Sequence, residues 1–181
     1  VLMKITLTTS GQLILASGSP RRREILGQMG LDFRVQKSEV DESKIPADHP
    51  RTFAIRAAYA KATDVAEKCK SGDIVLAADT VVTCKNVIYG KPADEEEARS
   101  ILQKLSGRTH QVITGFAIAV VGKAEVQLDS CETNVVFSTL TDQQIDSYIQ
   151  TGSPLDKAGA YGIQDFDKSF ISEIDGDRKS V

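Results

Sequence analysis

The stretch Ile74 to Cys84 constrains the fold more than any other segment of the chain. It is rich in Val, Ile, Leu and Ala, and it reads as the strongest strand in the sequence. Only Asp79-Thr80 interrupts it. A carboxylate in so apolar a run is costly unless it is paired or ligates a cation. Burial would raise its pKa, and a lysine or metal would lower it. Either setting suits a general base or a metal ligand. The plainer alternative is a strand-end aspartate at a bulge or turn.

Other elements alternate around this strand. Leu13 to Ser17 reads as a short buried strand, and Ser19-Pro20 opens a helix, with Ser as N-cap and Pro at the first helical position. Ile25, Leu26 and Met29 give that helix an apolar stripe, and Gly30 ends it. Phe33 to Gln36 alternates like a strand. Thr52 to Lys70 reads as an Ala-rich helix with Phe53, Ala57, Ala60 and Val65 inward. Pro92-Ala93-Asp94 starts a helix with Glu95, Glu96 and Glu97 in its first turn, where they favour the dipole. Val112 to Val121 and Val126 to Phe137 read as long strands joined at Gly122-Lys123. Thr141 and Gln144 form a capping-box pattern, and a last strand falls at Phe170 to Ile174. Hairpins mixed with helices predict an α/β fold with a mixed sheet.

With 181 residues the chain is long enough for one domain with a real core. A net charge of −3 argues against a general nucleic-acid binder, so any anion site is a local cluster of Lys and Arg. Three widely spaced cysteines and two histidines make a zinc site a poor reading and fit a reducing compartment. No apolar run is long enough to cross a bilayer. Val1 to Gln12 lacks the features of a signal peptide and reads as a short leading strand or an extraneous leader.

Several constellations carry potential chemistry. Ser17-Gly18-Ser19-Pro20-Arg21-Arg22-Arg23 lies at a strand-to-helix junction. A helix N-terminus binds phosphate through free N–H groups and its dipole, and arginines add bidentate contacts. Cations at a helix start oppose the dipole unless an anion sits between, so a capped helix with solvated arginines is the competing reading. The Walker A spacing is absent. Glu39-Val40-Asp41-Glu42 offers carboxylates for a hard cation such as Mg²⁺, against the simpler reading of a solvated acidic loop. Lys61, Lys91 and Lys157 are ordinary singly, although Gly90 and Pro92 fix the backbone around Lys91. In Asp156 to Gln164, small residues allow close approach to a ligand; Tyr161 could stack and Gln164 could read a base edge, or the loop is merely tight. His49 and His110 have no local partners and read as solvated or core-satisfied.

Taken in order, Leu15 to Arg22, Ala78 to Val82, Gly90 to Pro92, Leu105 to Thr114 and Asp156 to Gln164 resemble the Maf family, over about Leu13 to Ser180. The resemblance implies an elongated α/β fold similar to that of inosine triphosphatases, with a cleft between two lobes. It implies a cytoplasmic, often homodimeric, metal-dependent enzyme, using Mg²⁺ or Mn²⁺, that hydrolyses nucleoside triphosphates to the monophosphate and pyrophosphate. The Ala-Gly-Ala-Tyr-Gly-Ile-Gln form looks like the branch acting on dTTP and UTP, and on modified pyrimidine nucleotides. By motif, Asp79 matches the proton acceptor. Arg21, Thr80 and Gln164 match positions that set substrate choice. Ser17, Arg21, Arg22, Lys61 and Lys91 match the phosphate-binding set, with Ser19 and Lys157 beside it, and Glu42 matches a metal-binding or catalytic acid. Glu42 and Asp79 are then the expected metal holders, and Asp79, Glu42 and Lys61 the catalytic group. The sequence departs from the family at Val1 to Gln12, which precedes the usual start, and at Val181, where the family normally continues through a Val-Gly-Leu-Pro segment into a last helix. The competing class is a non-catalytic nucleotide-binding regulator of division, in keeping with the family's association with septum formation.

Overall fold

The computed structural model describes residues 11–165 and 170–180. The expected leading strand before Gly11 lies outside the described residues. The strands are β1 (Leu13–Leu15), β2 (Phe33–Val35), β3 (Ile74–Cys84), β4 (Val87–Tyr89), β5 (Thr109–Val120), β6 (Val126–Phe137) and β7 (Ile171–Asp175). The α-helices are α1 (Pro20–Gln28), α2 (Pro50–Ala66), α3 (Glu95–Leu105) and α4 (Asp142–Ile149).

All seven strands form one mixed sheet in the order β2-β1-β3-β5-β6-β7, with β4 also on β3. β1 and β2 are parallel to their neighbours, whereas β3, β5, β6 and β7 pair antiparallel. β3 is central and buried along most of its length. Its alternate side chains serve two different cores. Val75 and Ala77 pack with Ala58, Ala62 and Val65 of α2. Val82 and Cys84 pack with Ile101, Leu102 and Leu105 of α3 and with Ile145 and Ile149 of α4. α1 lies on the second face, where Ile25 and Leu26 approach Leu76, Ala78 and Phe116. Thr80 therefore falls between α1 at one end of that face and α3 and α4 at the other.

Local chemistry accounts for the helix boundaries. Ser19 Oγ accepts the Arg22 N–H at 3.4 Å, with Pro20 at the first helical position. Asp94 caps α3, and Thr141 with Gln144 forms the capping box of α4. α2 begins at Pro50 and ends at Ala66, shorter at its C-terminus than its composition suggested, and Phe53 and Ala60 are only partly buried. Its alanines allow close seating on the sheet. At Gly115 a Cβ would lie 2.4 Å from the Ala54 carbonyl carbon, so this position of β5 admits no side chain. Met29 does not join the stripe of α1: it is 61% exposed, because α1 is only partly covered and Leu26 alone is fully inside.

Candidate active site

The outer edge of β3 changes partner halfway along. β1 pairs with Ile74 to Leu76, and the Ala16 N–H donates to the Leu76 carbonyl at 2.8 Å. β4 pairs with Val82 to Cys84. Among the described residues, no strand covers positions 77–81 on this edge. Asp79-Thr80 sits in that notch, within a continuous strand whose other edge pairs Asp79 with Gly115 and Thr80 with Thr114. The pair thus neither interrupts the strand nor lies at a bulge. The carboxyl end of β1 opens onto the same notch and feeds Ser17-Gly18-Ser19 into α1. Ligands bind at such points in open α/β sheets, where neighbouring strands part.

Arg22 ties the junction to the strand. Its Nη1 donates to the Ala78 carbonyl at 2.7 Å and to Ser17 Oγ at 3.1 Å, and its Nη2 donates to Thr80 Oγ1 at 3.1 Å. The Ala78 carbonyl thereby finds a donor where no strand supplies one. These oxygens and the nearby acids also answer the conflict between a cation and the helix dipole. Burial lowers the Arg22 pKa, and Asp79 and Glu42 raise it; the guanidinium keeps its charge. Ser17 is buried, and its Oγ also accepts the Ser19 N–H at 3.2 Å. Arg21 points elsewhere, pairing with Glu24 at 3.1 Å, and its Nε has no hydrogen-bond partner among the described residues.

On the opposite face α2 presents Lys61. Its Nζ lies 2.6 Å from Asp79 Oδ1 and 2.6 Å from Glu42 Oε1. Two carboxylates from distant parts of the chain thus converge on one ammonium. Asp79 is 6% exposed. Burial pushes its carboxyl above the usual carboxylate range; Lys61 pulls it down, Glu42 pushes it up, and Arg22 pulls it down. A buried carboxylate with a raised pKa beside a cation is poised to take up a proton.

The acidic loop divides its work. The short 3₁₀ turn Glu42–Lys44 places Glu42 at the site, and Asp41 caps that turn through the Ser43 N–H at 3.1 Å. Glu39 instead pairs with Lys68 at 2.8 Å. The cluster is therefore one site carboxylate and two structural ones.

The remaining predicted residues stand apart from the Asp79–Lys61–Glu42 group. Lys91 is exposed. Lys157 Nζ is held by the Ser153 carbonyl at 2.8 Å and by Asp156 at 2.9 Å, with Asp165 at 3.4 Å. Gln164 is exposed at the end of the same loop. The loop docks close to Thr80: the Gly159 N–H donates to the Gly90 carbonyl at 3.0 Å, and a Cβ on Gly159 would meet Val82 at 2.6 Å. Val82 shares a face with Thr80, two positions along the strand. Gly159 also has φ +69°, so both conformation and space require glycine here.

Tyr161 is not available to stack on a base. It is 5% exposed, its OH lies 2.7 Å from His110 Nε2, and its ring packs edge-on against Phe137. His110, buried beside it, is a core histidine and not a solvated one; its Nε2 meets the Tyr161 hydroxyl, while its Nδ1 has no hydrogen-bond partner among the described residues. Lys37 was missed. It follows β2, which runs parallel to β1, so it emerges at the same end as Gly18, and a Cβ on Gly18 would lie 2.7 Å from Lys37 Cε. Strand pairing, not local pattern, was the signal that could have found it.

The family model described as Maf-like protein matches residues 12–181. The chain belongs to the Maf family. Curated relatives called dTTP/UTP pyrophosphatase include one from Symbiobacterium thermophilum, 48% identical over 170 residues, 94% of this chain and 86% of that one. Another, from Clostridioides difficile, is 44% identical over 165 residues, 91% of this chain and 84% of that one. A third, from Anaeromyxobacter dehalogenans, is 45% identical over 172 residues, 94% of this chain and 86% of that one. Among solved structures, a nucleoside-triphosphatase / dITP/XTP pyrophosphatase from Mycobacterium abscessus aligns with 70% of this chain and 72% of its own at a TM-score of 0.43 and 13% identity, too distant for any argument to rest on it.

Proposed function

We propose that this chain hydrolyses dTTP and UTP, and related pyrimidine triphosphates, to the nucleoside monophosphate and pyrophosphate. The observation that carries the reading is the convergence of Asp79, Lys61 and Glu42 at the open edge of β3, beside the Arg22-bound start of α1. The names of relatives at 44–48% identity over nearly the whole chain support the substrate class.

In this proposal the triphosphate lies along Ser17 to Arg22, with Arg21, Lys37, Lys91 and Lys157 supplying further positive charge. Asp79 orients a water and takes its proton as the water oxygen bonds to the α-phosphorus. The bond from that phosphorus to the α–β bridging oxygen breaks, and pyrophosphate leaves with the electron pair. Lys61 favours the ionised form of Asp79 against its burial and holds Glu42 beside it. The cationic residues stabilise the charge that moves onto the leaving group. No covalent intermediate is needed. Thr80 and Gln164 are the proposed readers of the base.

Glu42 and Asp79 both approach the Lys61 ammonium, and no group of three His, Cys, Asp or Glu side chains able to hold a metal occurs among the described residues, so a divalent cation held by these two carboxylates would be completed by substrate oxygens. One or two carboxylates plus phosphate oxygens is the usual Mg²⁺ arrangement. Bound there, Mg²⁺ or Mn²⁺ would neutralise triphosphate charge and align it for attack. A homodimer and a cytoplasmic location belong to the same proposal; no helix among the described residues is long and apolar enough to cross a membrane.

The test is a panel of nucleoside triphosphates, with and without Mg²⁺ or Mn²⁺, scored separately for pyrophosphate and orthophosphate. Metal-dependent pyrophosphate release, greatest with dTTP and UTP, is expected. Orthophosphate release would make the protein a phosphatase of another kind, and binding without release would make it a nucleotide-binding regulator.

A further inference from the structure

Thr80 belongs to a chain of hydrogen bonds whose direction can be worked out. Arg22 Nη2 donates to Thr80 Oγ1 at 3.1 Å. Thr80 Oγ1 lies 2.9 Å from Thr114 Oγ1, its direct cross-strand partner. Thr114 Oγ1 donates to the Ser180 carbonyl at 2.9 Å. A threonine hydroxyl has one proton and two lone pairs. Thr114 gives its proton to Ser180, so in the bond between the two threonines Thr80 must be the donor. Thr80 then has its proton committed, one lone pair taken by Arg22 and one lone pair left over.

The end of the relay is itself pinned. Thr133, 1% exposed, accepts the Asp177 N–H at 3.1 Å, and its Oγ1 lies 2.8 Å from Ser180 Oγ. Ser180 Oγ donates to the Asp177 carbonyl at 2.7 Å. The 3₁₀ turn Arg178–Ser180 is thereby anchored to β6 and presents its carbonyl to Thr114.

From this we infer that Thr114, held by the Asp177–Ser180 turn, is a positioning residue for substrate choice: it locks the Thr80 hydroxyl as a hydrogen-bond acceptor toward the cleft. The inference rests on the proposed role of Thr80 as a reader of the base. An acceptor at that point selects a base edge that offers a donor. At the N3 position uracil and thymine carry a donor N–H, whereas cytosine carries a bare acceptor, its donor being the 4-amino group at the neighbouring position. Cytosine would set lone pair against lone pair, and the committed hydroxyl could turn to suit it only by breaking the relay. A site built to pair a particular hydrogen-bonding group rejects a ligand that leaves that group unpaired.

The experiment compares kcat/KM for UTP and CTP in the wild type, T114V, T114S, T80V and the T80V/T114V double variant, with thermal melting to confirm folding. Valine keeps the shape of threonine and removes the hydroxyl. T114V should lower the UTP-to-CTP ratio about tenfold, through a higher kcat/KM for CTP and a raised KM for UTP, with kcat for UTP little changed. T114S restores the hydroxyl and should hold the ratio within about twofold of wild type. In the T80V background, T114V should change the ratio no further. An unchanged ratio in T114V overturns the inference. So does an equal fall in T114S, which would point to lost methyl packing, or a further fall in the double variant, which would show an effect not routed through Thr80. A wild type that hydrolyses UTP and CTP alike overturns the base-reading role of Thr80 itself, and one that releases no pyrophosphate from either fails at the proposed function.

Discussion

Replacing Lys61 with Met tests the site through stability, independently of any substrate. Methionine keeps much of the length and apolar bulk of the lysine stem, so the main loss is the ammonium 2.6 Å from Asp79 and 2.6 Å from Glu42. Removing one partner of a buried pair costs about 3–5 kcal/mol. Here Glu42 is half exposed and can turn to water, which leaves Asp79, 6% exposed, as the stranded charge and favours the low end, about 3 kcal/mol. A ceiling follows from proton linkage. The variant can protonate Asp79 instead, and from an unfolded pKa near about 3.9 this costs roughly 4 kcal/mol at pH 7 and roughly 1.5 kcal/mol at pH 5. Without Lys61 the folded-state pKa of Asp79 rises further, because the lysine is the largest influence pulling it down. A carboxyl with a raised folded pKa loses stability as pH climbs from its unfolded toward its folded value. The deficit of K61M relative to wild type should therefore shrink from about 3 kcal/mol at pH 7 to about 1.5 kcal/mol or less at pH 5. Urea unfolding of both proteins at pH 5, 6 and 7 measures it. A deficit independent of pH, or below about 0.5 kcal/mol at pH 7, would refute the buried Lys61–Asp79 pair as drawn.

Other substitutions separate chemistry from packing. Asp79→Asn should reduce kcat by on the order of 10³-fold with nucleotide affinity largely kept, and in the wild type the acid limb of the kcat profile should lie above the ordinary carboxylate range; near-normal turnover in the variant removes Asp79 as the base. Gln164→Ala should narrow the preference for UTP over GTP, and an unchanged preference would take Gln164 out of base reading. Tyr161→Phe should cost about 1–3 kcal/mol in thermal or urea denaturation, because it leaves buried His110 without its 2.7 Å partner, yet keep the order of substrate preference. A changed preference would return Tyr161 to the ligand.

Elements set by local chemistry were legible in the sequence. β3 has the limits of its apolar run, and α1 and α4 start at the caps their residues announced. At the site, what the sequence left unread concerns contacts between distant segments. Asp79-Thr80 looked like a break because a carboxylate in a strand has no local excuse; its partner Lys61 is 18 positions away. Arg22 read as a phosphate ligand, a role that stays in the proposed function, but nothing near it in sequence hinted at its bond to the Ala78 carbonyl 56 positions on. Tyr161 lies in a loop of small residues that resembles a ligand cradle, and only the fold shows its ring against Phe137 and His110. Glu42 was indistinguishable from Glu39 and Asp41 until a short turn sent it toward Lys61 and left the others at Lys68 and Ser43. Family resemblance grouped Asp79, Lys61 and Glu42 as catalytic residues when spacing alone did not, but the ion pairs among them, the Arg22–Ala78 bond and the Tyr161–His110 contact come from the fold.

The central claim is that water, directed by Asp79, attacks the α-phosphorus. Hydrolysis of dTTP in ¹⁸O-labelled water, followed by mass spectrometry of both products, tests it directly. The account predicts one labelled oxygen in the thymidine monophosphate and none in the pyrophosphate. Label in the pyrophosphate would mean attack at the β-phosphorus, labelled orthophosphate would mean attack at the terminal one, and either result would contradict the mechanism.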